Sequence, residues 1–456
     1  MKKIYALVGA LCLALAFLIL GSVLLTKYIE KNPETLYDYI ESKEVSSNAS
    51  KSENVSFNQM FHVGITEKEH KVDKVSAEEH ERIYTDLGEV KVDGFLNSEE
   101  WEDRLSKGLT AENLNAANRE CSGLFYYDKI DNSLKQLYLE IYLAFTNNTE
   151  SIFICSNSPE DIEFAFNCVL GDHPEIFYIN GYMYTKYTSQ DEIIKIEFTP
   201  AFTMDKAVIE KYNQEIDDYY DAFKKGISDG AGEYDKIKYT YEFVILNTEY
   251  DLNSPENQNI ISVFKYGKSV CQGYAKAFQY LSGRLGIQST LVVGRVGSDE
   301  GHAWNMVKCD GEYYYVDCTW GDSSYLNRNT ADNSLNVNGI NYDYLNITTK
   351  ELELTHQIEN FELMPVCFDK KANYYVREGL YFSAIDPDKL ASAFTNSTNT
   401  GKTSVNIKCS DELTFNEMGK YLLDENHIFD YIITENDTLT YSKNQGMFIY
   451  YFPIDY

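Results

Sequence analysis

KSVCQGYAKAF, residues 268–278, sets a cysteine at the start of a helix. Ser269-Val270-Cys271-Gln272 matches a capping box of the form S-x-x-Q, in which the serine caps the third amide and the glutamine reaches back. Tyr274, Ala277, Phe278, Leu281 and Leu285 follow at the spacing of one buried stripe. Gly283 and Gly286 suit the helix's C-terminal end. The pattern predicts Ser269 as N-cap and Cys271 as the second helical residue, among free backbone N–H groups. The positive end of a helix stabilises a thiolate and can lower a thiol pKa by about one unit or more. Gly273 takes a side chain out of the same turn, which leaves room for a substrate or strand to come close.

A second feature lies downstream. HAWNMVKC alternates, Asp310-Gly311 follows, and EYYYVDCT resumes the alternation. Asp-Gly between alternating runs signals a tight hairpin. A two-residue loop there sets Cys309 opposite Glu312, Trp304 opposite Asp317 and His302 opposite Thr319. His302 and Asp317 then share one face as diagonal neighbours, typically about 7–8 Å apart, which an imidazole and a carboxylate can bridge. A slip of one residue would part them. In this register Cys318 faces Ala303, away from His302, and both Cys309 and Cys318 read as inert packing thiols.

Taken singly, each residue has an ordinary reading: a lone Cys fills a core, a lone His is a satisfied polar group, and an Asp before a turn is a cap. Together they supply a nucleophile (Cys271), a base (His302) and a group that orients the base (Asp317), the logic of a catalytic triad. Trp304 and Trp320 either wall the cleft or pack beneath the hairpin.

Three segments in this order, SVCQGYAKAF, GHAWNMV and YYYVDCTWGD, resemble the transglutaminase-like superfamily over roughly residues 205 to 325. The resemblance implies an α+β, papain/transglutaminase-like core, with the Cys-bearing helix packed on an antiparallel sheet. It implies that Cys271 is the nucleophile, His302 the base and Asp317 the orienter, with the Cys271 amide as one oxyanion donor and Tyr266 as candidate for the other. HPEIFYI (173–179) and NYY (373–375) resemble flanks of membrane-anchored or exported bacterial members. Nothing here resembles the calcium sites or β-sandwich modules of animal transglutaminases, so calcium dependence is not carried over.

The remaining 456-residue chain frames these motifs. Forty Lys and Arg against 71 Asp and Glu give a net charge of −31, which argues against nucleic acid or an anionic lipid face as partner. The nine cysteines are odd in number and lack any CxxC, and the seven histidines form no HExxH. Neither a disulfide framework, nor a metal, nor a nucleotide cofactor is expected. Residues 4–26 are apolar after Lys2 and Lys3. About 20 apolar residues span a bilayer, so 1–27 reads as an uncleaved signal anchor with the body outside the cytoplasm. Residues 28–89 read as a flexible polar linker, 90–203 as an N-terminal α+β region, 204–348 as the catalytic domain and 349–456 as a C-terminal α+β region. Within these, 133–145, 158–170, 204–227 and 234–250 read as helices, and 173–179, 182–188 and 193–202 as strands.

The site predicts thiol-dependent acyl transfer at an amide through a thioester, acting on a protein or peptide substrate. An amine acceptor would give protein-glutamine cross-linking, and water deamidation. Two other readings stand beside it: a cysteine peptidase or amidase acting on surface protein or wall peptide, and a non-catalytic surface binding module. Oligomeric state is left open.

Overall fold

The computed structural model describes residues 64–72, 80, 82–297, 300–322, 339–359, 363–432 and 439–454. The apolar run 4–26 lies outside the described residues. Among the described residues no helix is long and apolar enough to cross a membrane.

The N-terminal part is a four-stranded sheet in the order Gly64–Lys71, Ile179–Ser189, Glu192–Phe202, Ile152–Phe153. Two corrections fall here. Gly64–Lys71 is a strand, not linker, and runs parallel to Ile179–Ser189. All eight of its residues are exposed, so no apolar alternation marks it. Backbone pairing holds it, helped by Tyr184 donating to Glu67 (2.7 Å) and Thr188 to Glu69 (2.9 Å). HPEIFYI is a turn for most of its length, and the strand begins only at Ile179. Its apolar side chains Ile176, Phe177 and Tyr178 are buried nonetheless, so the segment packs like a strand without pairing like one.

The long helices form where periodicity and caps predict them. Asn132–Thr146 starts on Asp131, whose side chain accepts from Ser133 and Leu134. Pro159–Asp172 starts on Ser158, which accepts from Asp161. Lys206–Lys224 and Glu233–Leu246 follow; the second ends before Glu249–Tyr250, which pairs with Lys268–Ser269 as a short parallel ladder.

The site rests on a five-stranded sheet in the order Leu345–Ile347, Glu312–Val316, Glu300–Cys309, Ser289–Val296, His356–Ile358, with every pair antiparallel. Its outer strand His356–Ile358 carries the sheet past residue 348. Helix Cys271–Arg284 packs on it and buries Tyr274, Ala277, Phe278 and Leu281 completely. Each large apolar side chain so buried contributes roughly 1.5–3 kcal/mol. Buried Asn305 fastens the two layers, donating from Nδ2 to Ala275 O of the helix (3.0 Å) and Thr290 O of the adjacent strand (3.3 Å). Gly294 is the close approach that lets His356–Ile358 join the sheet: a Cβ there would stand 2.1 Å from Gln357 O and 2.5 Å from the Trp304 ring. A separate four-stranded sheet, Tyr381–Phe382, Ser404–Cys409, Ile449–Pro453, Ser442–Asn444, occupies the C-terminal region.

Candidate active site

The cysteine helix begins one residue later than its capping pattern predicts. Val270 is the N-cap, Cys271 is the first helical residue, and no side chain caps the turn. Ser269 does not take the capping role because its hydroxyl is bound elsewhere, to Asn257 O (3.0 Å) and Ser262 Oγ (2.5 Å). That pair also explains Gly273: a Cβ there would lie 1.8 Å from Ser269 Oγ and 2.9 Å from Ser262 Oγ. What comes close at Gly273 is this pair of hydroxyls, not a substrate. The uncapped turn leaves the first backbone N–H groups beside Cys271.

All eight described cysteines are free thiols, and Cys271 alone among them is not buried. It packs against Ala275, Leu291, Val293 and Ala303. Cys309 and Cys318 are fully enclosed. Burial pushes the Cys309 thiol up to about 12 and the Cys318 thiol well above its ordinary value.

The hairpin forms in the predicted register from Asn305 opposite Val316 to Cys309 opposite Glu312, with Asp310 and Gly311 in positive φ at the turn. It does not continue. Asp317 leaves the ladder, its N–H bonding to Tyr344 O, and becomes the N-cap of the short helix Cys318–Gly321. Trp304 and His302 therefore do not pair with Asp317 and Thr319, and Cys318 is not opposite Ala303. His302 instead lies opposite Gly294 of the other neighbouring strand. The expected approach of imidazole and carboxylate nevertheless occurs: His302 Nε2 is 2.7 Å from Asp317 Oδ2. The cap and the ring contact use different oxygens. Oδ1 accepts from the N–H groups of Thr319 (2.8 Å) and Trp320 (3.1 Å), which fixes the carboxylate while Oδ2 faces inward.

A second histidine shares Oδ2. His356 Nε2 donates to it at 3.0 Å, and its Nδ1 accepts from Thr355 Oγ1 at 2.8 Å. Tyr344 OH donates to the same threonine oxygen (3.3 Å). This relay, absent from the sequence reading, fixes the His356 tautomer. The rings of Trp304, Trp320 and Tyr344 stand about 5–5.5 Å from that of His356, enclosing the cluster. Both tryptophans thus pack at the site.

Burial pushes the His302 imidazole down, but Asp317 and the Cys271 sulfur outweigh it and lift its pKa to about 10. Burial pushes the Asp317 carboxyl up, and the two histidines outweigh it and hold it well below the carboxylate range. For His356 burial prevails over Asp317 and lowers the pKa. The result is an imidazolium–carboxylate pair backed by a neutral histidine. With Nε2 held by Asp317, Nδ1 is the nitrogen left to His302 for the cysteine. His302, Asp317 and His356 also present ligand atoms within 4.8 Å of one another. As a metal set they would compete with hydrogen bonds that already satisfy both carboxylate oxygens.

Tyr266 is the other oxyanion donor that the sequence offers. It ends helix Ile260–Tyr266, is 39% exposed, and its hydroxyl meets Tyr212. His356 was missed because its strand is three residues long and follows the short helix Thr349–Leu352. Only the alternation in THQI hints at it.

Residues 221–318 match the family model of the transglutaminase-like superfamily, so the chain carries a transglutaminase-like core over that segment. The segment contains Cys271, His302 and Asp317; His356 lies beyond it. Among solved structures the chain is similar to one described as a TGase, at 14% identity and a TM-score of 0.22 over 35% of this chain and 55% of that one. It is also similar to a candidate cysteine protease from Cytophaga hutchinsonii, at 15% identity and 0.21 over 30% and 61%. A candidate protease from Parabacteroides distasonis aligns at 8% identity and 0.19 over 30% and 39%. The chain thus spans less than two thirds of each. No curated protein sequence matches it.

Proposed function

We propose that the protein is a thiol-dependent acyl transferase acting on amides of a protein or peptide substrate, with the body held outside the cytoplasm by the apolar segment 4–26. The observation that carries this reading is the disposition of His302: one ring nitrogen on Asp317 at 2.7 Å, the other left for Cys271. The Cys271 thiolate adds to the carbonyl carbon of a side-chain carboxamide. The imidazolium of His302 gives its proton to the departing nitrogen, ammonia or an amine leaves, and a thioester remains. An incoming amine or water then attacks the thioester, His302 takes the proton, and the thiolate leaves as amide or acid forms. Asp317 keeps the imidazole oriented and compensates its charge throughout.

Cys271 is partly open to solvent, which favours water as acceptor and supports hydrolysis as a second reading. Incubating the chain with a glutamine-containing peptide and a fluorescent primary amine separates the two. Amine incorporation that vanishes in Cys271→Ala supports transfer, and ammonia release without incorporation supports hydrolysis. Neither product from the wild-type chain across a panel of surface proteins and wall peptides would refute the enzymatic reading.

A further inference from the structure

A cavity of about 390 Å³ opens beside the first turn of the cysteine helix. Gln272, the residue after Cys271, lines it, and so does Lys276, one turn further along the same helical face. Leu291 belongs both to this cavity and to the apolar cluster against which Cys271 packs. A chain segment filling the cavity therefore passes within about one residue of the thiol. Leu170, Ile176 and Phe177 also line it, and they lie upstream of the transglutaminase-like segment 221–318. The site is made by this chain's own N-terminal region, not by the shared core alone.

Glu256, Asn257 and Asn259 of the lining are already engaged. Asn259 Nδ2 donates to Glu256 (2.9 Å) and its Oδ1 caps Ile261. Asn257 Nδ2 donates to Leu252 O (2.8 Å). Two groups are not. Gln272 is 4% exposed, yet its Oε1 has no hydrogen-bond partner among the described residues. A buried acceptor left this way is costly unless a ligand or water meets it. Lys276 makes no ion pair among the described residues, and burial alone pushes its ammonium down to about 8, as expected of a cation without a counter-charge. Glu256, at the exposed rim, is the only other charged residue of the lining. One cation, one orphan acceptor and an apolar wall suit a singly charged anion on an apolar body. A phosphate would find too little positive charge, and a chain of net charge −31 repels polyanions.

We propose that this cavity binds a carboxylate carried by an apolar peptide segment, with Lys276 as its ion-pair partner and Gln272 Oε1 accepting a neighbouring peptide N–H, beside the carbonyl presented to Cys271. The proposal deepens the function proposed above and rests on it for the nature of the ligand. The carboxylate is either a free C-terminus or an acidic side chain.

The test reads binding without turnover, in the full chain carrying Cys271→Ala, so failure of acyl transfer and failure of this site are separate results. Calorimetric titration uses two matched pairs of probes: N-acetyl-Leu-Leu against its C-terminal amide, and N-acetyl-Leu-Glu-amide against N-acetyl-Leu-Gln-amide. At least one acid binds about tenfold or more tighter than its neutral twin, the range of a charge-assisted hydrogen bond, and the pair showing the gap identifies the source of the carboxylate. Lys276→Met abolishes the gap. Gln272→Leu weakens acid and neutral probe alike and leaves the gap in place. No binding of any probe, no gap, a gap that survives Lys276→Met, or a gap lost in both variants (the sign of a collapsed cavity) each overturns the proposal.

Discussion

Asp317→Asn tests the electrostatics of the site directly. The substitution keeps an oxygen for the Thr319 and Trp320 N–H groups but replaces Oδ2, which faces His302 at 2.7 Å and His356 at 3.0 Å, with an uncharged group. His302 is held at about 10, against an ordinary imidazole value of about 6.5. At a charge separation of about 4 Å and an effective dielectric near 20, the attraction is about 4 kcal/mol, equivalent to about 3 pKa units. Asp317 therefore accounts for most of the elevation, and without it burial returns the ring to the ordinary range or below. Histidine-selective NMR titration, with His302 assigned by its own substitution, reads this. In the wild type the ring stays protonated through neutrality; in Asp317→Asn it loses its proton near or below pH 7. Losing about 3 units changes the imidazolium-to-imidazole ratio about a thousandfold, which at pH 7 takes the ring from almost wholly protonated to about half protonated; with the orienting carboxylate gone as well, acyl transfer falls by up to about four orders of magnitude. A wild-type His302 that titrates near 6.5, or one unmoved by the substitution, would refute the argument.

Stability follows the same linkage. Because the folded pKa of His302 lies above the unfolded one, its contribution is complete below about pH 6.5 and is lost as pH rises toward about 10. The urea midpoint of the wild type should thus fall from pH 7 to 10 by more than that of Asp317→Asn. His356→Ala removes a buried ring, one donor to Asp317 and the acceptor for Thr355; a loss of about 3–5 kcal/mol is expected in denaturant titration. Its kcat should fall more than its KM changes, because His356 acts through Asp317. Gly273→Ala drives a methyl into Ser269 Oγ and should cost roughly 1–3 kcal/mol, part of which Ser269→Ala restores in the double variant. Under brief iodoacetamide treatment of the folded chain, mass spectrometry of the described cysteines should find Cys271 carbamidomethylated before Cys121, Cys155, Cys168, Cys309, Cys318, Cys367 and Cys409, all of which are buried. Equal labelling would contradict the placement of the sulfur.

The sequence by itself determined what depends on short-range periodicity. The stripe Tyr274–Leu281 makes a helix that must bury one face, and Asp310-Gly311 fixes a hairpin register that brings His302 and Asp317 toward one another. It also placed the long helices, whose caps are local. Tertiary structure decided what depends on partners distant in the chain. Ser269 is no cap because Asn257 and Ser262 take its hydroxyl first. Asp317 leaves its strand because Tyr344 takes its N–H, so the carboxylate caps a helix with one oxygen and holds two imidazoles with the other. His356 joins the site because Gly294 lets a three-residue strand lie flush against the sheet, a contact across some sixty residues that no local pattern records. The exposed strand Gly64–Lys71 has no apolar face to announce it, since its pairing is made by backbone groups that every residue carries.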